Sequence, residues 1–164
     1  MNVVAIGSKG MQEMFNGCTG LTDSFVSSIN VSLTGTIGTS GLYATFKNCK
    51  TMTTAPTLTV PTLNTGGMAQ CFSGCTALVN GPDLVATTLP SKSYCYNNMF
   101  DGCSSLTRLK AMFTTTPGAN YTSNWMRGTP NTSSCIFIKN AAATWTTTGA
   151  NAVPANWTIQ TASA

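Results

Sequence analysis

The side chains able to do chemistry in this chain are few. Its 164 residues include four carboxylates, seven cysteines and no histidine. Without histidine the chain has no imidazole base and no Ser-His-Asp or Cys-His nucleophile pair. Zinc sites that use histidine are excluded for the same reason. Catalysis would therefore depend on the carboxylates.

The four carboxylates are Glu13, Asp23, Asp83 and Asp101. Hydrolysis of a glycoside requires two carboxylates about 5 to 10 Å apart. In the repeat described below, Glu13 and Asp101 lie three repeats apart, which is about 14 Å at ~4.8 Å per strand. Asp23 and Asp83 lie two repeats apart, about 10 Å at best. We interpret all four as solvated turn residues and expect the protein not to be an enzyme.

Cysteine is the other reactive residue type. Four cysteines occupy one position of the repeat, and free cysteine is a small buried hydrophobe, so we expect a packed ladder of reduced thiols. The odd total also favours reduced thiols. A metal site would have only the pair Cys71 and Cys75, without a second pair or a histidine. We therefore expect no metal and no other cofactor.

An internal repeat positions these residues. Four segments share the frame Phe-x-x-Cys-x-x-(Leu/Met), and we predict that the aligned residues form a common core. These core residues are Phe15, Cys18, Leu21, Phe46, Cys49, Met52, Phe72, Cys75, Leu78, Phe100, Cys103 and Leu106.

The residues before each phenylalanine predict a short helix. Another large apolar residue precedes each one by four positions: Met11, Leu42, Met68 and Tyr96. Residues at i and i+4 share one face of a helix, so we expect about two helical turns in each repeat. Two positions after each phenylalanine comes a residue that tolerates the left-handed conformation ending a helix: Gly17, Asn48, Gly74 and Gly102. Threonine-rich stretches such as 53–60 then predict short strands.

The repeat resembles a known family. Met-Phe-x-Gly-Cys-x-x-Leu, followed by a proline-containing strand and Thr-Thr-Leu-Pro, resembles the BspA-like leucine-rich repeat, most fully in residues 71–90 and 95–106. The resemblance covers about Met11 to Phe113, with departures at Thr45 and in residues 110–113. It implies an α+β repeat solenoid with short helices and short strands. It also implies a surface or adhesion protein of bacteria or their phages.

The predicted organisation has three parts. They are an N-terminal strand at 1–9, four repeats at 10–40, 41–66, 67–93 and 94–124, and an aromatic-rich C-terminal cap at 125–164. All three tryptophans lie in the cap, where large aromatic side chains would cover the last repeat. The N-terminal strand has no such cover. We therefore expect this end to dock on another copy of the chain or on a larger assembly.

Composition limits the partners. Only 7% of residues are charged and 42% are apolar, which favours a folded chain over a disordered one. The basic residues form no stripe, so we expect no nucleic-acid partner. No apolar run approaches the roughly 20 residues of a membrane helix, so we expect no membrane span. The first residues also lack the pattern of a secretory signal peptide.

Threonine, serine and asparagine replace charges on the predicted surface. Hydroxyls and amides bind sugars without charge, so we expect a non-enzymatic recognition or adhesion module for a carbohydrate or protein on a cell surface. Its setting would be a bacterial cell surface or a phage virion, as a fibre or decoration component. The candidate ligand residues are Tyr43, Tyr94, Tyr121 and Trp125, with Trp145 as a second stacking candidate. The alternative is an architectural spacer or assembly block with no ligand of its own.

Overall fold

The computed structural model describes residues 2–3, 5–89, 94–115, 120–144 and 151–162. Within these ranges the regular elements are one six-residue helix, α1 (Asp23–Ser28), and nine short strands. The strands are β1 (Asn2–Val3), β2 (Asn30–Leu33), β3 (Thr36–Ile37), β4 (Thr57–Thr59), β5 (Thr62–Leu63), β6 (Asn80–Leu84), β7 (Arg108–Ala111), β8 (Ile136–Lys139) and β9 (Thr158–Thr161).

All strand pairs are parallel, and each joins one repeat to the next. Strands β1, β2 and β4 form one sheet, β3 and β5 a second, and β6, β7, β8 and β9 a third. Arg108 of β7 lies opposite Ile136 of β8, which in turn lies opposite Thr158 of β9. An isolated bridge between Thr54 and Asn80 links the second repeat to the third. Since the paired strands are parallel and come from successive repeats, the chain coils and stacks its repeats.

The phenylalanine-containing part of each repeat is a run of consecutive turns, which we call a turn ribbon. The five turn ribbons described are residues 8–17, 39–48, 65–74, 95–102 and 120–128. In the first ribbon, alternate N–H groups bond three residues back, as Gln12 does to the Lys9 carbonyl. The intervening N–H groups donate to the next ribbon, so that Phe15 bonds to the Thr45 carbonyl at 2.8 Å. These bonds hold successive ribbons in register.

The predicted α+β solenoid of leucine-rich repeats is therefore wrong. The structure is mostly parallel sheet, with 4% helix and no helix of seven or more residues among those described. An α-helix directs every N–H to the carbonyl four residues earlier, whereas half of the ribbon N–H groups cross to the next ribbon. Every fourth ribbon residue also has a positive φ, such as 55° at Glu13 and 76° at Gly17. Consecutive four-residue turns place apolar residues at i and i+4, as a short helix does. The spacing therefore does not distinguish the two structures.

The predicted left-handed residues adopt that conformation, but within turns. Their φ angles are 76° at Gly17, 60° at Asn48, 75° at Gly74 and 76° at Gly102. Stacking also brings them close together, because a Cβ added at Gly74 would lie 2.3 Å from the Asn48 Oδ1 atom. Glycine at position 74 is thus required both by φ and by the neighbouring repeat.

The core contains a column of stacked phenylalanine rings. Neighbouring ring centroids are 5.3 Å apart for Phe15 and Phe46, 5.4 Å for Phe46 and Phe72, and 5.7 Å for Phe72 and Phe100, with interplanar angles of 12°, 6° and 5°. Of the twelve predicted core residues, nine are fully buried: Phe46, Cys49, Met52, Phe72, Cys75, Leu78, Phe100, Cys103 and Leu106. Leu21 is 6% exposed, while Phe15 and Cys18, in the first repeat, are only partly buried.

The C-terminal residues continue the stack, and they do not begin a separate cap at Trp125. The fifth turn ribbon crosses the predicted boundary between Asn124 and Trp125, and β8 and β9 extend the sheet begun by β6 and β7. Residues 151–157 then cover this end. Trp125 donates its indole N–H to the Ala152 carbonyl at 2.9 Å, and Trp157 donates to the Pro130 carbonyl at 2.6 Å.

Candidate functional site

The predicted aromatic ligand residues do not form one surface. Trp125 is fully buried among Tyr96, Phe100, Phe113 and Phe137, so its ring is closed to a ligand. Its large side chain contributes to the core, which corrects the prediction of a stacking platform. Trp145 lies outside the described residues.

The tyrosines differ in exposure. Tyr94, immediately before the fourth turn ribbon, is 49% exposed, whereas Tyr121 is partly buried against the core. Tyr43 lies on the second ribbon, separated from Tyr94 by the third ribbon. The Tyr43 hydroxyl accepts a hydrogen bond from Gln70 Nε2 at 2.8 Å, and Lys47 Nζ donates to Gln70 Oε1 at 2.6 Å. This network holds Tyr43 in place across two ribbons.

A charged cluster lies on the strand side of the stack. Asp83 of β6 accepts a hydrogen bond from Lys110 Nζ at 3.0 Å and a longer one from Arg108 Nη1 at 3.4 Å. The side chains of Asp83, Arg108 and Lys110 are 42%, 39% and 28% exposed. Two cations share one carboxylate, so the cluster carries a surplus positive charge. Because the pairs are partly solvated, they contribute little to stability.

The strand period places this cluster on one face. In β7 the buried residues Leu109 and Ala111 alternate with Arg108 and Lys110, which are partly exposed. Side chains of alternate residues point to the same side of a sheet, and parallel register carries that side across the strands. Thr57 and Thr59 of β4 line a groove together with Asp83. We call the row with these two residues the outer strand face: Thr57, Thr59, Asp83, Arg108, Lys110, Ile136, Ile138, Thr158 and Gln160.

Two grooves on this face meet at Arg108. The larger, of about 390 Å³, has residues of β4 and β6 in its walls, including Thr57, Thr59 and Asp83. The smaller, of about 260 Å³, is lined by Arg108, Lys110, Ile138, Gln160, Thr161 and Ala162. Arg108 lines both grooves. A ligand lying across the strands would therefore contact its guanidinium.

The carboxylates considered for catalysis are held by groups of the chain itself. Asp23 accepts bonds from the Thr53 N–H at 3.0 Å, the Thr54 N–H at 3.3 Å and the Thr53 hydroxyl. These bonds, that of the Thr53 hydroxyl first, lower the pKa of Asp23 from its ordinary value of 3.8. Asp101 binds the Arg127 guanidinium through two bonds of 2.8 and 2.6 Å. Asp23 therefore ties the first repeat to the second, and Asp101 ties the fourth ribbon to the fifth.

The cysteines are free thiols, buried except for Cys18, which is partly exposed. Burial raises the pKa of Cys75 to about 12 and that of Cys49 to about 11, so both stay protonated at neutral pH. A thiolate is the form that attacks an electrophile or binds a metal. Among the described residues, no three or more Cys, Asp or Glu side chains gather in a group able to hold a metal ion.

Sequence reasoning missed Arg108, Lys110 and Gln160 as candidate site residues. We treated the basic residues as scattered, because their spacing along the chain shows no run. The signal was the i, i+2 spacing of Arg108 and Lys110, which places both on one side of a strand. The position of Asp83 one repeat earlier completes the cluster.

Helices within the described ranges are too short and too polar to cross a membrane. Comparison of the chain with profiles of known families, with curated proteins and with solved structures finds no match.

Proposed function

We propose that this protein is a non-enzymatic recognition module that binds a polymer or protein on a cell surface through the outer strand face. The observation that carries the proposal is the position of Arg108, which lines two grooves and shares the Asp83 carboxylate with Lys110. The setting that we propose is a bacterial surface or a phage virion, which the sequence resemblance implies.

The regular spacing of the face supports this proposal. Each paired strand from β6 to β9 adds outward side chains about 4.8 Å from those of its neighbour, so the face offers contacts at a regular spacing. Thr57 and Thr59 of β4 and Thr158 and Gln160 of β9 supply hydroxyl and amide groups at its two ends. The hydrogen-bonded strands hold their positions before a ligand arrives, which lowers the entropic cost of binding. A repeating polymer can contact several strands at once.

Binding of the labelled chain to a glycan array and to whole bacterial cells tests the proposal. We expect Arg108→Ala to weaken binding about tenfold or more, since a charged hydrogen bond contributes roughly 1.5 to 3 kcal/mol. The matched control is Tyr94→Ala, which removes an exposed side chain beside the fourth turn ribbon and should leave binding unchanged. Loss of binding in Tyr94→Ala but not in Arg108→Ala would show that the ligand binds at the turn ribbons instead. No binding to any glycan or cell would contradict recognition.

The carbonyl edge of the first turn ribbon favours a second candidate function, that of an assembly block. In the second ribbon, carbonyls such as those of Gly41, Tyr43 and Thr45 accept N–H groups from the first. The corresponding carbonyls of the first ribbon receive no hydrogen bond from any described residue: Ser8, Gly10, Gln12, Met14 and Asn16. Met14 beside them is 54% exposed. This end thus offers main-chain acceptors in a fixed spacing.

The chemistry of this edge suits a polypeptide segment that presents main-chain N–H donors. Two identical acceptor edges cannot pair with each other. The fifth ribbon of a second copy cannot supply the donors either, because residues 151–153 lie over it and its Asn124 N–H already bonds Asn151 Oδ1. Sedimentation velocity should show a monomer that does not self-associate. A photoreactive amino acid placed at Met14 should cross-link to one discrete polypeptide when the protein is irradiated in the cells that make it. The same amino acid placed at Thr144 should give no such cross-link. Self-association, or no cross-link at Met14, would contradict this function.

A further inference from the structure

We propose that the smaller groove binds a carboxylate-bearing sugar unit of an acidic polysaccharide; this inference rests on the proposed recognition function of the outer strand face. The groove has a volume of about 260 Å³ and combines two cationic, two neutral polar and two apolar residues: Arg108, Lys110, Gln160, Thr161, Ile138 and Ala162. The cations match the carboxylate of a uronate ring, the neutral polar residues match its hydroxyls, and the apolar residues match its C–H face.

The cations provide the carboxylate site. Arg108 has five N–H donors, and the bond of 3.4 Å to Asp83 involves only one of its nitrogen atoms. Lys110 has three donors, of which one bonds Asp83 at 3.0 Å. One carboxylate of the chain is thus shared by two cations, which leaves charge and donors for a second carboxylate. A guanidinium can bind such a group through two parallel bonds.

The opposite side of the groove suits the rest of the sugar. Gln160 and Thr161 belong to β9, where the side chains are exposed. The Gln160 side chain lies on the outer strand face, and its amide can donate to and accept from sugar hydroxyls. Ile138 of β8 provides an apolar contact for the C–H face of a pyranose ring. An acidic peptide would use the cations but has no ring hydroxyls for the Gln160 amide.

The charge of the whole chain favours the same class of ligand. The formal net charge is +4. Two of the four carboxylates, Asp83 and Asp101, are paired with cations. A net positive chain attracts a polyanion at long range, and salt screens this attraction. Affinity for an acidic polysaccharide should therefore fall as the salt concentration rises.

Titration calorimetry with two matched ligands tests the inference. One ligand is an oligogalacturonate, and the other is the same oligomer with its carboxyl groups reduced to alcohols. We expect the full chain to bind the first at least tenfold more tightly than the second, because the carboxylate bonds to Arg108 and Lys110 are charge-assisted. Arg108→Gln and Lys110→Gln should each weaken binding of the oligogalacturonate about tenfold.

The matched control is Lys50→Gln, which removes one positive charge at an exposed site outside both grooves. It should leave the affinity within about twofold, as expected for a distant and screened charge. Equal weakening by Lys50→Gln and Arg108→Gln would overturn the inference, because attraction would then be nonspecific. Equal binding of the reduced oligomer, or of polyglutamate, would also overturn it. Binding of neutral glycans alone would overturn the inference and leave the recognition function standing.

Discussion

The thiol of Cys75 donates a hydrogen bond to the main-chain carbonyl of Phe46, one repeat earlier, at a distance of 3.0 Å. The same contact recurs from Cys49 to the Phe15 carbonyl at 3.1 Å and from Cys103 to the Phe72 carbonyl at 3.1 Å. The cysteines of the second, third and fourth repeats therefore each fill a buried position and also give a second hydrogen bond to a carbonyl of the preceding repeat. This double role explains why cysteine recurs at a position where another small apolar residue would fill the space.

Removing this thiol should destabilise the stack. We expect Cys75→Ala to lower the free energy of unfolding by about 1 to 3 kcal/mol, because the Phe46 carbonyl keeps only the Cys49 N–H of its two donors and a small cavity remains. Cys75→Ser keeps a donor and should retain more stability than Cys75→Ala. Urea denaturation measures both. The control is Cys18→Ala, at the partly exposed position of the first repeat. A less stable serine variant would show that the sulfur contributes by packing alone.

Stability should fall at alkaline pH. Burial holds the pKa of Cys75 at about 12 and of Cys49 at about 11, against an ordinary value of 9.0. Above pH 9 the unfolded chain loses these protons while the folded chain keeps them, so the free energy of unfolding decreases as pH rises. Thermal unfolding at neutral and alkaline pH should show this fall, and Cys75→Ala should make it shallower. A Tm that is constant or rises with pH would contradict the prediction.

Two glycines with nearly the same φ separate the effect of backbone strain from that of close packing. The φ is 75° at Gly74 and 76° at Gly17. A Cβ at Gly74 would meet Asn48 Oδ1 at 2.3 Å, whereas at Gly17 it would meet nothing within 4 Å. Gly17→Ala should cost about 1 kcal/mol, the penalty for a left-handed residue. Gly74→Ala should cost more, because Asn48 must move. Equal losses of unfolding free energy in denaturation experiments would mean that Asn48 of the neighbouring repeat moves aside at no cost.

The phenylalanine column should dominate the stability of the stack. Phe72 is fully buried between Phe46 and Phe100. We expect Phe72→Ala to cost about 3 to 5 kcal/mol, the range for removing a buried aromatic ring. Phe25 of α1 is 50% exposed and contacts only the edge of the column at Phe15, so Phe25→Ala should cost much less. Similar losses of Tm in the two variants would contradict a column-centred core.

The repeat and its buried positions could be predicted from the sequence because burial follows residue type. The Phe, Cys and Leu or Met of each frame recur at matching places, and the residues from Phe46 to Leu106 in that frame are fully buried. One left-handed position in each repeat could also be predicted, because glycine or asparagine stands there, whereas others such as Glu13 (φ 55°) and Ala44 (φ 50°) could not. These are local properties of single residues, and a single repeat already displays them.

The turn ribbons and the charged groove were decided by tertiary structure. Whether Met11 and Phe15 lie on a helix or on successive turns depends on where their N–H groups find acceptors, and those acceptors belong to Gly41 and Thr45 of the next repeat. Asp83 and Lys110 meet for the same reason, because the parallel register places them side by side. Spacing along one chain segment contains no information about hydrogen bonds to another. The sequence therefore determined what is buried, and the stacking of repeats determined the backbone conformation and the surface that results.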